Sequence, residues 1–199
     1  MNSDERKEKK MIIRCLSGDQ EAFRTLFDHY FSELYRTAYV LMKSPADADD
    51  VVQETFIRGF RSLEQYDINR PFRPWIQRIL VNVCKDQWKK RKWFFLPLEK
   101  AYDICDSKAL CPESESIKDE ELQDLTDAVR KLSPKHQSVV ALYFICGMRI
   151  AEVSETLEIP PGTVKSRLHH AVKSLKRIMD KDDKLLFGGW EKRGEEIRA

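Results

Sequence analysis

Between Ile159 and Met179 the chain carries no aspartate or glutamate, while Lys165, Arg167, Lys173, Lys176 and Arg177 supply positive charge. In a 199-residue protein with 33 acids, such a gap marks a surface suited to other anions. Lysine and arginine neutralise phosphates and release their counterions, where a carboxylate would be repelled. A second basic element runs from Arg70 to Lys92: Arg70, Arg73, Arg78, Lys85, Lys89, Lys90, Arg91 and Lys92 face a single acid, Asp86. Aromatics are interleaved there, with Trp75 near its start and Trp88, Trp93, Phe94 and Phe95 towards its end. Cations that track a backbone, beside rings on which unpaired bases stack, suit single-stranded nucleic acid. For Trp88, Phe94 and Phe95, ordinary packing is the simpler reading. For Trp75 and Asn82, which share a face with Arg78, Lys85 and Lys89, binding is favoured, because an amide reads a base edge and a lysine does so with less selectivity.

Covalent chemistry finds no foothold in this sequence. No phosphate-binding glycine loop, nucleophile elbow or clustered carboxylate–histidine set is present, so the chain reads as a binding protein rather than an enzyme, with no cofactor. The five cysteines (Cys15, Cys84, Cys105, Cys111 and Cys146) are odd in number and form no CxxC pair, which suits reduced thiols. His169 and His170 are adjacent, point about 100° apart on a helix and do not form a metal pair. No apolar run approaches the roughly 20 residues that span a bilayer. The charged start is not of signal-peptide type, so a cytoplasmic protein is expected. The net charge of +2 argues against nucleic acid only until it is resolved into segments.

The elements that must position these groups are helical, and the expected fold class is all-α. Phe23, Leu26, Phe27, Tyr30, Leu34, Ala38 and Leu41 recur at steps of three and four and predict a long amphipathic helix from Asp19 to Met42. Ser44 and Pro45 supply a cap and a first-turn proline for a second helix, with the stripe Ala48, Val51, Val52, Thr55, Phe56, Gly59 and Leu63. Its other face bears Asp49, Asp50, Gln53 and Glu54. Tyr66 to Pro74 reads as a turn, followed by a helix to about Lys92 whose buried stripe is Ile76, Ile79, Leu80, Val83 and Gln87. Acids then accumulate and periodicity fades, marking 94–117 as a flexible acidic linker. In the second domain, 118–180, a helix restarts at Ser133-Pro134 and ends at Gly147. A short helix (Arg149 to Leu157), a turn (Glu158 to Gly162) and a longer helix from Thr163 to about Asp180 form a helix-turn-helix. In that last helix Val164, Leu168, Ala171, Leu175 and Ile178 face the core, opposite Lys165, His169, Lys173 and Lys176. The same basic face could be merely solvated; the short helix and turn before it favour nucleic acid. The charged tail 181–199 receives no role.

Several runs resemble bacterial RNA polymerase sigma factors of the sigma-70 superfamily, extracytoplasmic-function group. Gly18-Asp19-Gln20-Glu21-Ala22-Phe23, Asp49 to Arg58 (DDVVQETFIR), Tyr66 to Phe72 (YDINRPF), Trp75 and Arg78 to Asn82 (RILVN) are similar to region 2 of that group. Leu132-Ser133-Pro134 and Ile159 to Leu168 (IPPGTVKSRL) are similar to region 4. The resemblance covers about residues 11 to 180 and implies a region 2 domain over 1–93.

The resemblance implies roles at matching positions. Asp50, Gln53, Glu54 and Arg58 would contact core RNA polymerase. Tyr66, Phe72, Trp75, Arg78, Asn82, Lys85 and Lys89 would capture the flipped, unpaired bases of the promoter's minus-10 element, making strand opening depend on sequence. Thr163, Lys165, Ser166, Arg167, His169, His170 and Lys173 would read the minus-35 duplex. It further implies promoter DNA and an anti-sigma protein, in many cases seated in the membrane, as partners, and no small-molecule substrate. Two departures stand out: His170 and Val172 occupy positions where the family often has arginine, and Ser154 replaces a usual alanine. Two other readings remain: a helix-turn-helix regulator that acts without being a polymerase subunit, and a nucleic-acid enzyme or RNA-binding accessory factor, which the missing metal and phosphate sites disfavour.

Overall fold

The computed structural model describes residues 3–42, 44–94 and 127–178. The acidic linker and the tail therefore lie outside the described residues, apart from the linker's first position. Seven helices organise these segments: α1 (Ser3–Leu16), α2 (Gln20–Met42), α3 (Pro45–Ser62), α4 (Phe72–Phe94), α5 (Pro134–Val140), α6 (Ile150–Leu157) and α7 (Pro161–Ile178). Residues 127–130 are also helical.

The first domain packs α2 against α1, α3 and α4. Its core joins Leu26, Leu34 and Leu41 of α2, Val51, Val52 and Phe56 of α3, and Ile76, Leu80 and Val83 of α4. Local chemistry fixes the helix starts. The Asp19 carboxylate accepts from the amides of Glu21 (3.0 Å) and Ala22 (3.1 Å), capping α2. The Ala22 amide and the Arg14 guanidinium hold that carboxyl below its ordinary range. Ser44 accepts from the Asp47 amide at 3.3 Å, with Pro45 in the first turn of α3. Gly59 lets α3 and α4 close together: a Cβ there would stand 3.0 Å from Ile76 Cδ1.

Three findings differ from the sequence reading. Helix α1 precedes Asp19, where the charged start shows little periodicity; Ile12 and Cys15 are nevertheless buried against the domain core. Helix α4 begins at Phe72, because a proline within the first turn, here Pro74, forfeits no intrahelical hydrogen bond. The buried stripe of α4 is also wider than its periodicity indicates. Gln77, Val81 and Cys84 are buried while Ile79 and Gln87 are half-buried, because the second domain covers a further side of this helix.

In the second domain α7 packs on α5 and α6. Helix α5 continues into a wide π-helical turn, Ala141–Ile145, closed by the Cys146 amide on the Ala141 carbonyl (3.0 Å) and stopped by Gly147 at φ +65°. The buried Gln137 amide donates to the carbonyls of Arg130 (2.8 Å) and Leu132 (2.9 Å), joining α5 to the helical residues before it. The two domains meet along a seam formed by α4 with α6 and by α2 with α5 and the π turn.

Candidate nucleic-acid interface

Helix α7 is built as its pattern requires. Val164, Leu168, Ala171 and Leu175 are fully buried, which rotates His169, His170, Lys173, Lys176 and Arg177 outward. Ser166 is exposed, and Thr163, Lys165 and Arg167 are half-buried at the flanks. The seven positions expected to read duplex DNA thus occupy one acid-free helix on the outside of its domain. Its approach is set by the preceding turn. Glu158 ends α6 in the left-handed conformation (φ 54°), the Ile159 amide returns to the Ser154 carbonyl (3.2 Å), and Ser154 Oγ donates to the Ile159 carbonyl at 2.6 Å. Ser154 therefore does more than fill the place of an alanine: it ties down the turn. The amides of Thr163 (2.9 Å) and Val164 (3.1 Å) then close on the Pro160 carbonyl. At the start of α6, the Arg149 amide donates to Glu152 at 2.7 Å, satisfying a helix-start donor.

The rings of His169 and His170 lie 5.8 Å apart, and His170 faces His136 of α5 at 6.5 Å. Among the described residues no group of three or more His, Cys, Asp or Glu side chains could hold a metal ion.

On α4, Asn82, Lys85 and Lys89 are exposed in one row, with Lys85 Nζ 3.4 Å from Asn82 Oδ1. Trp75 is half-buried in an aromatic cluster, its ring 4.9 Å from Tyr66 and 5.2 Å from Phe72. Tyr66 and Phe72 differ from the rest of the expected base-capturing set. They are 8% and 3% exposed, and the Tyr66 hydroxyl donates to the Arg70 carbonyl. Burial also pushes the Tyr66 phenol well above its ordinary value. In this conformation both rings shape the floor beneath Trp75 and the 67–71 loop and offer no open stacking face. Arg78 also leaves the row: it turns into the seam, 3.0 Å from the Glu158 carboxylate.

On α3, Asp50 and Gln53 are exposed, whereas Glu54 and Arg58 are engaged. Arg58 pairs with Glu54 within α3 and with Asp86 of α4, each at 2.7 Å, so one of the four positions expected to contact polymerase also holds α3 to α4 and a second braces it. Ile57 and Phe60, at 45% and 51% exposure, extend this surface with apolar area that the polar reading of the face omitted.

Residues 26–94 match the family model for Sigma-70 region 2, and residues 122–175 the model for Sigma-70, region 4. The ECF RNA polymerase sigma factor SigW of Bacillus subtilis is 32% identical over 177 residues, covering 85% of this chain and 95% of that protein. A solved structure of CnrH in complex with the cytosolic domain of CnrY superposes with a TM-score of 0.68 at 26% identity, over 88% of this chain and 99% of CnrH. The Bartonella quintana sigma factor RpoE, solved with the anti-sigma factor NepR, shares the fold with a TM-score of 0.68 at 22% identity, over 80% and 98% of the two chains. The two matched regions and the full-length likeness to SigW show that the chain is a member of the extracytoplasmic-function RNA polymerase sigma factors.

Proposed function

We propose that the two domains divide promoter recognition between them. The row Asn82, Lys85 and Lys89, continued by Trp75, takes unpaired minus-10 bases, while α7 enters the major groove of the minus-35 duplex with Lys165, Ser166, Arg167, His169, His170 and Lys173, flanked by Thr163. Asp50 and Gln53, with the neighbouring Glu54 and Arg58, meet core RNA polymerase. The observation that carries this reading is the segregation of charge in the folded chain: an acid-free helix faces outward on one domain, an exposed Asn–Lys–Lys row lies on the other, and a polar face of α3 stands apart from both. A helix in the groove and stacking bases beside cations are the arrangements duplex and single strand respectively require.

The chain performs no covalent step in this reading. It contributes binding energy that rewards extruded bases, offsetting an unstacking cost of a few kcal/mol. Core RNA polymerase and promoter DNA are its partners, and an anti-sigma protein is its inhibitor. The solved structure of CnrH in complex with the cytosolic domain of CnrY supports such a protein partner. Among the described residues no helix is long and apolar enough to cross a membrane; the chain acts beside polymerase in the cytoplasm.

Run-off transcription with purified core polymerase tests the reading. Promoter-specific transcripts should vanish when the factor is omitted. Unchanged core activity beside tight operator binding by the free protein would instead identify a helix-turn-helix regulator.

A further inference from the structure

Two helices of the second domain bring cations together where no acid answers them. Between Ala128 and Ala151 the chain carries no aspartate or glutamate, as it carries none from Ile159 to Met179. Helix α5 comes from the first stretch and α7 from the second, and the two pack against each other. His136 of α5 meets His170 of α7 at that contact, the rings 6.5 Å apart and 30° from parallel. Lys135 is exposed beside them, and Arg167 lies half-buried one turn before His170.

Arg167 is unlike the other arginines placed as it is. Of the described half-buried arginines, Arg58, Arg73, Arg78 and Arg130 each have a carboxylate within 3.0 Å. Arg167 has none among the described residues, although it too has given up part of its hydration. A guanidinium held partly out of water is ordinarily matched by an acid. One left unmatched, with Lys135 and two imidazoles turned to the same place, calls for an anion from outside.

The spacing of the rings agrees. Two imidazoles bonded directly to one another would bring their centroids to about 5 Å, since donor and acceptor then stand about 2.9 Å apart. At 6.5 Å there is room between them for an oxygen that accepts from both. Ser133 Oγ stands 3.2 Å from His136 Nδ1, which fixes that ring and leaves Nε2 to meet a ligand. Partial burial, then the charges of Lys135, His170 and Arg167, act against the cationic form of His136. The π turn has no charged residue, no charge of α2 among the described residues acts on this ring, and Arg130 is turned away to Asp127 and the Tyr39 face. Lys135 and Arg167 would repel a metal ion here and attract a phosphate. Because Lys135 and His170 are exposed, the place opens to solvent beside the positions assigned to the minus-35 duplex.

We propose that Lys135 and His136 of α5, with Arg167 and His170 of α7, form a phosphate clamp on the backbone of the duplex that α7 reads, extending the DNA contact beyond the helix-turn-helix onto α5. The choice of DNA as the source of the phosphate rests on the reading of α7 as the duplex helix; the clamp itself does not. A phosphate beside His136 supplies the negative charge that its surroundings withhold, so the ring should take up a proton as duplex binds. By linkage, protonation strengthens duplex binding by the same factor.

Proton NMR of the full chain follows the His136 ring, assigned by its absence in His136→Gln. With a minus-35 duplex bound, the ring should titrate about one pH unit higher, equivalent to about tenfold tighter binding by the protonated form. Lys135→Ala, at an exposed position, should leave the melting temperature unchanged and remove about 0.9 from the slope of log K against log salt. It should weaken specific and scrambled duplexes by the same several-fold factor, because a phosphate contact carries no sequence information. This arm stands even where His136→Gln misfolds. Inorganic sulfate, whose charge is constant over this range, separates the two parts of the proposal. A His136 midpoint raised by millimolar sulfate but unmoved by a bound duplex would overturn the assignment of promoter backbone to the clamp. Failure of the unsubstituted chain to bind any duplex, with the sulfate response intact, would place the error in the reading of α7. A midpoint that moves with neither, or an unaltered salt slope in Lys135→Ala, overturns the clamp.

Discussion

Arg58 Nη1 lies 2.7 Å from Asp86 Oδ2, so a guanidinium on the polar face of α3 is held by the single acid in the basic stretch of α4. The same side chain reaches Glu54 through Nε, and both carboxylates raise its already high pKa. A residue tied at both ends in this way serves the fold before it serves a partner. Asp86→Ala should lower stability by about 0.5–1 kcal/mol, as partly exposed ion pairs do, with little change in affinity for core polymerase. Asp50→Ala together with Gln53→Ala should do the reverse: an unchanged melting temperature and weaker polymerase binding, measured by calorimetry and by fluorescence anisotropy. If Asp86→Ala cost polymerase affinity at unchanged stability, Arg58 would be a contact and not a brace.

Gly59 sets how closely α3 approaches α4. A leucine at this position would drive its Cβ to 3.0 Å from Ile76 Cδ1 and its remaining atoms towards Trp75 and Ile79. Gly59→Leu should cost about 1–3 kcal/mol and lower the melting temperature by several degrees. Gly59→Ala should be far milder, because the Ile76 methyl can rotate aside and alanine favours the helix by about 0.5–1 kcal/mol. A leucine variant as stable as wild type would show that the two helices separate easily.

What the sequence disclosed and what it withheld divide along a physical line. The stripes of α2, α3 and α7 follow from periodicity, because each helix buries one face against its own domain; Val164, Leu168, Ala171 and Leu175 are buried as their spacing requires. Helix α1 escaped because its apolar residues are confined to its last turns, where Ile12 and Cys15 suffice to dock it. The face of α4 was legible only in part. Its spacing unites Trp75, Arg78, Asn82, Lys85 and Lys89, but Arg78 is drawn away by Glu158 and Gln77 is buried by Glu33, partners 80 and 44 positions distant. No local pattern encodes such pairings. One local signal did exist: Glu158 closes a helix where glycine is usual, which asks what its carboxylate holds.

Asn82 is exposed on α4, where its amide oxygen accepts from Lys85 at 3.4 Å, and an exposed amide can meet a base edge. Asn82→Ala should impair promoter opening, read by permanganate reactivity, more than duplex binding, read by gel shift. An equal loss in both assays would move Asn82 from base capture to general affinity.

Lys165 and Lys173 lie two turns apart on α7, both on its acid-free surface. Replacing both with alanine should weaken minus-35 duplex binding and flatten its dependence on salt. Each lost phosphate contact removes about 0.9 from the slope of log K against log salt, so the pair should remove close to 2. A weaker complex with an unchanged slope would assign these lysines to folding or orientation.

His136 gives the second domain a pH response. Partial burial, then the charges of Lys135, His170 and Arg167, hold its imidazole below the ordinary 6.5, while Ser133 Oγ sits 3.2 Å from Nδ1. Because the folded pKa is the lower one, the unfolded chain binds the proton more readily, and stability rises with pH between the two values. The contribution of neutral His136 is complete above about pH 6.5 and is lost as pH falls from there through the folded value. Between about pH 7 and pH 5.5 the melting temperature should therefore fall, and His136→Gln should flatten that slope. Protonation also adds a cation beside His170 and Arg167, so duplex binding should strengthen over the same interval in which stability declines. A melting temperature that rises on acidification, or a slope that survives His136→Gln unchanged, would exclude His136 as the titrating group.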